Sequence, residues 1–142
     1  MYRHASIVGY CSVYFDPNLL DMISCELQKK QINEYCSNLG TPIRKIYSDL
    51  EEATNSLDEG EQFIITSILC LGDNISKILG ITNLIKKKSC SLYISDFGSV
   101  LDSRESRFRF HIYISMCLLK YDLWKEEMGY NINEKPSCRK IN

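Results

Sequence analysis

Seven cysteines, Cys11, Cys25, Cys36, Cys70, Cys90, Cys117 and Cys138, are the most reactive set of side chains in the sequence. Metal capture by thiolates needs ligands close together, typically a C-x-x-C pair. No such pair is present, and only His4 and His111 add an imidazole. The spacing therefore predicts neither a metal nor a cofactor. Widely spread, odd-numbered cysteines read as buried, reduced thiols of a cytoplasmic protein. No glycine-rich phosphate loop and no Ser/His/Asp set of recognisable spacing is found. Lys86, Lys87 and Lys88 admit two readings. They complement the negative end of a helix, or they bind phosphate.

Bulk composition narrows the classes further. The chain has 142 residues, 44% of them apolar, which suits one domain with a real core. Lys and Arg number 17 against 18 Asp and Glu, a net charge of −1. That balance argues against broad, nonspecific contact with a phosphate backbone, which needs a concentrated positive field. A small local basic patch remains compatible with it. The N-terminal residues carry no signal-peptide apolar core, and no apolar run reaches membrane-spanning length, so a cytoplasmic location is expected.

Strand and helix patterns alternate along the first two thirds. Residues 6–14 are apolar and β-prone, as for a strand buried on both faces. Asp16-Pro17-Asn18 breaks that strand. From residue 19 to 39, Leu20, Ile23, Leu27, Ile32 and Tyr35 recur near helical spacing, and Gly40 is a natural C-cap. Residues 42–47 read as a second strand, and the acidic stretch 49–59 as a short helix closed by Gly60. Residues 62–69 form a third strand. Asp73 or Asn74 caps a helix whose apolar face includes Ile75, Ile78, Leu79, Ile81, Leu84 and Ile85. A fourth strand covers 91–94. This alternation predicts right-handed βαβ units and a mostly parallel sheet.

The last third supports two readings. Residues 107–114 alternate polar and apolar, which argues for a strand. Residues 115–128 carry no turn signal, and Gly129 supplies a C-cap, so one helix from about residue 103 to 128 fits as well. Its first half would be apolar almost all round and would need burial on more than one side.

Several segments, in order, carry a family resemblance. Gly9-Tyr10-Cys11-Ser12-Val13-Tyr14 resembles a first strand that reads Gly-Tyr-x-Arg-Val-Ser. Leu69-Cys70-Leu71-Gly72-Asp73 stands where a later motif reads Asp-Arg-Leu-Gly-Arg. Asn18, Tyr47-Ser48-Asp49, and Asp58-Glu59-Gly60-Glu61 before Phe63-Ile64-Ile65 are similar to further stations of the same frame. Ser106-Arg107-Phe108-Arg109-Phe110-His111 is similar to the Gly-Arg-Phe-Phe-Phe start of a long helix, which Leu119, Tyr121, Leu123 and Glu126 continue. Together these resemble the N-terminal catalytic domain of the serine recombinases, the resolvase/invertase family.

The resemblance implies an α/β fold with a mostly parallel four- to five-stranded sheet flanked by helices, and a long C-terminal oligomerisation helix. It implies a resolvase-like domain over 1–102, the long helix over 103–129, and a mobile tail over 130–142. Residues 107–114 would then be helical. In the family, a serine hydroxyl attacks a DNA phosphodiester, and arginines neutralise the charge that develops on phosphorus. Here Ser12 takes the first arginine position and Tyr14 the nucleophile position. Leu69, Cys70 and Asp73 replace the Asp and both arginines of the second motif. These five positions are degenerate, and Asp73 puts negative charge where a cation should face phosphate.

The expected function is a catalytically inactive, serine-recombinase-like protein that oligomerises as a regulatory or scaffolding module. Its partner is a second copy, an active recombinase, or another protein, through Phe108, Ile112, Ser115, Met116, Leu119 and Leu123. One alternative is an accessory DNA-binding protein in site-specific recombination, with Arg104, Arg107, Lys120 and Lys125 as candidate contacts. Another is a recombinase with rearranged catalysis through Ser12 or Tyr14. The helix-turn-helix domain that usually follows in the family has no counterpart in residues 130–142.

Overall fold

A computed structural model describes residues 6–100 and 103–129. Its centre is β1 (Ile7–Tyr10), four residues buried on both faces. Parallel neighbours β4 (Ile43–Tyr47) and β5 (Gln62–Ile65) flank it, and β6 (Ser91–Ile94) pairs with β5, also parallel. A short antiparallel edge strand, β7 (Gly98–Val100), completes the sheet in the order β4-β1-β5-β6-β7.

Alternation along the strands assigns each apolar residue to a layer. Ile7 of β1 and Ile64 of β5 face α1 (Cys25–Leu39), where they meet Ile32 and Cys36. Val8, Tyr10, Phe63 and Ile65 face the other way. There they pack with Ala53 of α2 (Leu50–Asn55), Ile78 and Ile85 of α3 (Ile75–Lys87), and Phe110 and Ile114 of α4 (Arg104–Glu127). Each fully buried isoleucine of these layers stabilises the fold by about 1.5–3 kcal/mol. Gly9 lets α1 approach closely: a Cβ there would stand 3.2 Å from Ile46 Cγ1 and 3.4 Å from Ile32 Cγ2.

Local chemistry sets the helix ends. Ser24, Asp49, Asn74 and Ser103 are N-caps whose side chains accept from the backbone amides of Leu27, Glu52, Lys77 and Ser106. Gly40 ends α1 at φ 72°. Residues 107–114 are helical, inside α4.

Three expectations from the sequence need correction. The first strand stops at Tyr10, not residue 14. The chain then forms a separate hairpin of β2 (Tyr14–Asp16) and β3 (Asp21–Ile23), so α1 starts at Cys25 rather than near residue 19. The third strand ends at Ile65, and Ile68–Cys70 is a 3-10 turn. The segment 130–142 lies outside the described residues, as do His4 and Cys138.

Candidate functional site

The strand order fixes where a cleft must open. The chain leaves β1 towards β4 on one side and returns to β5 on the other, so the helices diverge between the carboxyl ends of β1 and β5. Open α/β sheets hold their ligand sites at such a switch point. A cleft of about 340 Å³ lies there.

The five positions that the resemblance aligns with catalytic residues meet in it. Ser12 follows β1, Tyr14 opens β2, and Leu69, Cys70 and Asp73 come from the segment joining β5 to α3. Gly72 in that segment adopts φ 136°, a conformation that suits a residue without Cβ. The alkyl chain of Lys77 crosses above it, its Cδ 3.2 Å from where a Cβ on Gly72 would stand. Lys77 and Tyr121 of α4 complete the wall. Lys77 brings a cation to the wall of the cleft that Tyr14 also lines. It stands four residues beyond Asp73, outside the motif, and its side chain lies back over Gly72.

Gln28 was also missed. It is a polar residue on the buried face of α1, fully enclosed. Its Nε2 donates to Ser12 O at 2.7 Å and Ile23 O at 3.1 Å, while its Oε1 accepts from Ser12 N at 3.1 Å and Cys70 Sγ at 3.2 Å. One side chain thereby ties β1, the hairpin and the 3-10 turn. The helical spacing Gln28, Ile32, Cys36 was the available signal.

Burial favours the protonated forms of the cleft's phenols and thiol. Burial pushes the Tyr14 phenol up to about 12, and its hydrogen bond with Thr66 only partly offsets this. Burial likewise raises Tyr10 and the Cys70 thiol. These groups hold their protons at neutral pH. Phosphoryl transfer needs donors aimed at developing negative charge, each worth about 3–4 kcal/mol. This cleft offers Lys77 and hydroxyls, but it also holds the Asp73 carboxylate.

Elsewhere the candidate residues separate. Phe108, Ile112, Ser115, Met116, Leu119 and Leu123 are all exposed and repeat at helical spacing along one side of α4. Of the candidate DNA contacts, Arg104 and Arg107 sit at the start of α4. Lys120 reaches Asn18 Oδ1 at 3.3 Å, and Lys125 pairs with Asp122 at 3.8 Å and covers the Tyr121 ring. At about 1.5 Å of rise per residue, Arg104 and Lys120 are roughly 24 Å apart. They do not form one patch. Lys88, from the lysine cluster, donates to Thr54 O at 2.7 Å, a structural contact. No group of three metal-ligating side chains occurs among the described residues. No helix among them is long and apolar enough to cross a membrane.

The sheet order, the switch-point cleft and the long final helix define a resolvase-like α/β domain. The chain is similar in structure to the N-terminal catalytic domain of TP901-1 integrase, with a TM-score of 0.54 and 10% identity. The match covers 88% of this chain and 99% of that one, and establishes the serine-recombinase catalytic-domain fold. No family model and no curated protein matches the sequence.

Proposed function

We propose that this chain is a catalytically inactive, serine-recombinase-like protein of the cytoplasm that acts by oligomerisation, as a regulatory or scaffolding module. One observation carries the reading. α4 is apolar on two sides: Phe110 and Ile114 enter the core, while Phe108, Ile112, Met116, Leu119 and Leu123 face outward, each between 44% and 66% exposed. Exposed apolar rows of this length favour a protein partner. A second copy, or an active recombinase presenting the same helix, supplies a matching surface. The cleft supports inactivity, since burial raises the Tyr14 phenol and Asp73 opposes phosphate.

The test pairs two measurements on the full chain. Light scattering is expected to give the mass of a dimer or larger; a monomer at micromolar concentration overturns the oligomer reading. Incubation with supercoiled plasmid, followed by denaturing adduct capture, is expected to yield no protein–DNA link. An adduct on Ser12 or Tyr14 overturns inactivity. DNA binding that weakens steeply with salt would instead favour the accessory role.

A further inference from the structure

α3 and α4 cover the same face of the sheet, since Ile78, Ile85, Phe110 and Ile114 all pack with Phe63 and Ile65. Between the two helices, over β6 and β7, lies a cavity of about 240 Å³. It is separate from the switch-point cleft. Leu79, Ile85 and Lys86 of α3 line the cavity, whereas Lys77 lines the cleft, and no lining residue is common to both. Nor does it draw on the outward apolar row of α4.

Its floor and its mouth differ in chemistry. Ile85, Leu92 and Phe110 are buried at the floor, with Leu79 and Val100 half-buried beside them. Lys86, Arg107 and His111 are exposed at the mouth. Arg107 and His111 stand four residues apart on α4 and so share a face, while Lys86 comes from the last turn of α3. No carboxylate lines the cavity among the described residues. Thr82 Oγ1 is turned to Ile78 O at 2.8 Å, and Cys90 Sγ to Asp58 O at 3.1 Å. Polar recognition at the mouth therefore falls mainly to N–H donors, from the three basic side chains and the Asn83 amide.

Volume selects the body of a ligand. A cavity of about 150 Å³ lined by Leu, Ile and Phe holds one benzene. The larger space here admits a ring or a branched chain carrying a short arm. Ligand sites commonly pair such an apolar lining with a few convergent polar groups.

We propose that this cavity binds a small organic carboxylate, with its aromatic or branched body against Leu92, Val100 and Phe110 and its carboxylate among Lys86, Arg107 and His111. Arginine suits the charge because its planar fork can offer a carboxylate two parallel N–H donors. The lysine cluster thereby divides: Lys88 holds Thr54 O, and Lys86 serves an anion. An inorganic anion would leave the apolar floor wet, and a neutral hydrocarbon would leave the basic mouth unmatched. The ligand touches α3, the sheet edge and α4 at once, so it also fastens the long helix to the domain.

Phenylacetate is the probe, titrated into the full, isotope-labelled chain and followed by amide chemical shifts. Saturating shifts are expected across residues 79–92, at 100 and across 107–111. The expected Kd is near or below about 1 mM. Phenylacetamide, which lacks the charge, and inorganic phosphate should each bind at least about tenfold more weakly. Equal affinity for phenylacetamide would sink the carboxylate assignment, and equal affinity for phosphate would sink the role of the floor. Lys86→Gln with Arg107→Gln alters exposed residues only and should leave the circular dichroism unchanged. It should weaken phenylacetate about tenfold and leave phenylacetamide as it was. Leu79→Trp fills the cavity and should abolish saturable shifts with either compound. Undiminished phenylacetate binding in either variant, shifts centred elsewhere, or no saturation by roughly 10 mM overturns the proposal.

Discussion

Gln28 grips Ser12 by both of its backbone groups, accepting from the amide at 3.1 Å and donating to the carbonyl at 2.7 Å. The serine's position in the cleft is therefore set by a helix residue sixteen positions away, not by the strand that precedes it. Further bonds to Ile23 O and Cys70 Sγ make Gln28 a junction of three segments.

Gln28→Leu keeps a similar volume and removes every one of these bonds. Buried groups left without partners cost about 1–3 kcal/mol each, partly relieved by relaxation. Urea unfolding is expected to show a loss on the order of 3 kcal/mol. A change below about 1 kcal/mol would mean the junction is not buried as described.

Acid should unfold the protein partly through Glu61. Arg44 grips this buried carboxylate with Nε at 2.9 Å and Nη2 at 2.8 Å, Ser6 Oγ donates to it, and the Asp58 amide donates at 2.8 Å. Arg44 first, then these donors, hold the carboxyl down at about 2 against an ordinary 4.5. Because the folded value is the lower one, the stabilisation is full above about 4.5 and is lost as pH falls towards 2. It amounts to an effect on the order of 3 kcal/mol. Glu61→Gln should lack this acid-dependent loss, seen as melting temperatures that converge with wild type as pH drops.

Tyr14 titrates in the opposite sense. Its folded phenol, raised by burial to about 12, keeps its proton longer than in the unfolded chain. Its contribution is complete below about 10 and fades as pH rises towards 12. A difference titration of wild type against Tyr14→Phe, followed by phenolate absorbance, should place this group's midpoint near the upper value. A midpoint at or below the ordinary value would restore Tyr14 as a candidate nucleophile.

Charging the outer face of α4 should break assembly without unfolding the domain. Ile112→Glu with Leu119→Glu is expected to reduce the mass in solution to that of one chain, with circular dichroism unchanged. An unaltered mass would remove this face from the interface.

Asp73 is exposed, so Asp73→Arg should fold normally while reversing charge beside Lys77. Inorganic phosphate should then bind more tightly than to wild type in calorimetry, with the gain fading at high salt. Equal affinity would argue that the cleft does not sense phosphate.

Much of the architecture was legible because it rests on local signals. Gly40 and Asn74 announced helix ends, and the apolar run around Phe63 announced a central strand. The hairpin was not legible. Leu20 and Ile23 fit a helical period, yet Leu20 turns the chain at φ 54°, an unusual state for leucine, and Ile23 lies in β3. β7 escaped notice because three residues carry too little pattern. The five cleft positions could be named from the motifs, whereas Gln28 joins the site only through contacts distant in sequence and Lys77 lies outside the motif.

Gln28 Nε2, bonded to both Ser12 O and Ile23 O, also says something about how this chain can change. The two ends of residues 12–23 meet, so the hairpin hangs from the sheet as an excursion that leaves and returns at one point. Such a segment can be lengthened, shortened or exchanged for a foreign loop at small entropic cost, because its closure depends only weakly on length. The lip of the cleft is thus a replaceable part, and β1 and α1 need not move for it to acquire a new shape.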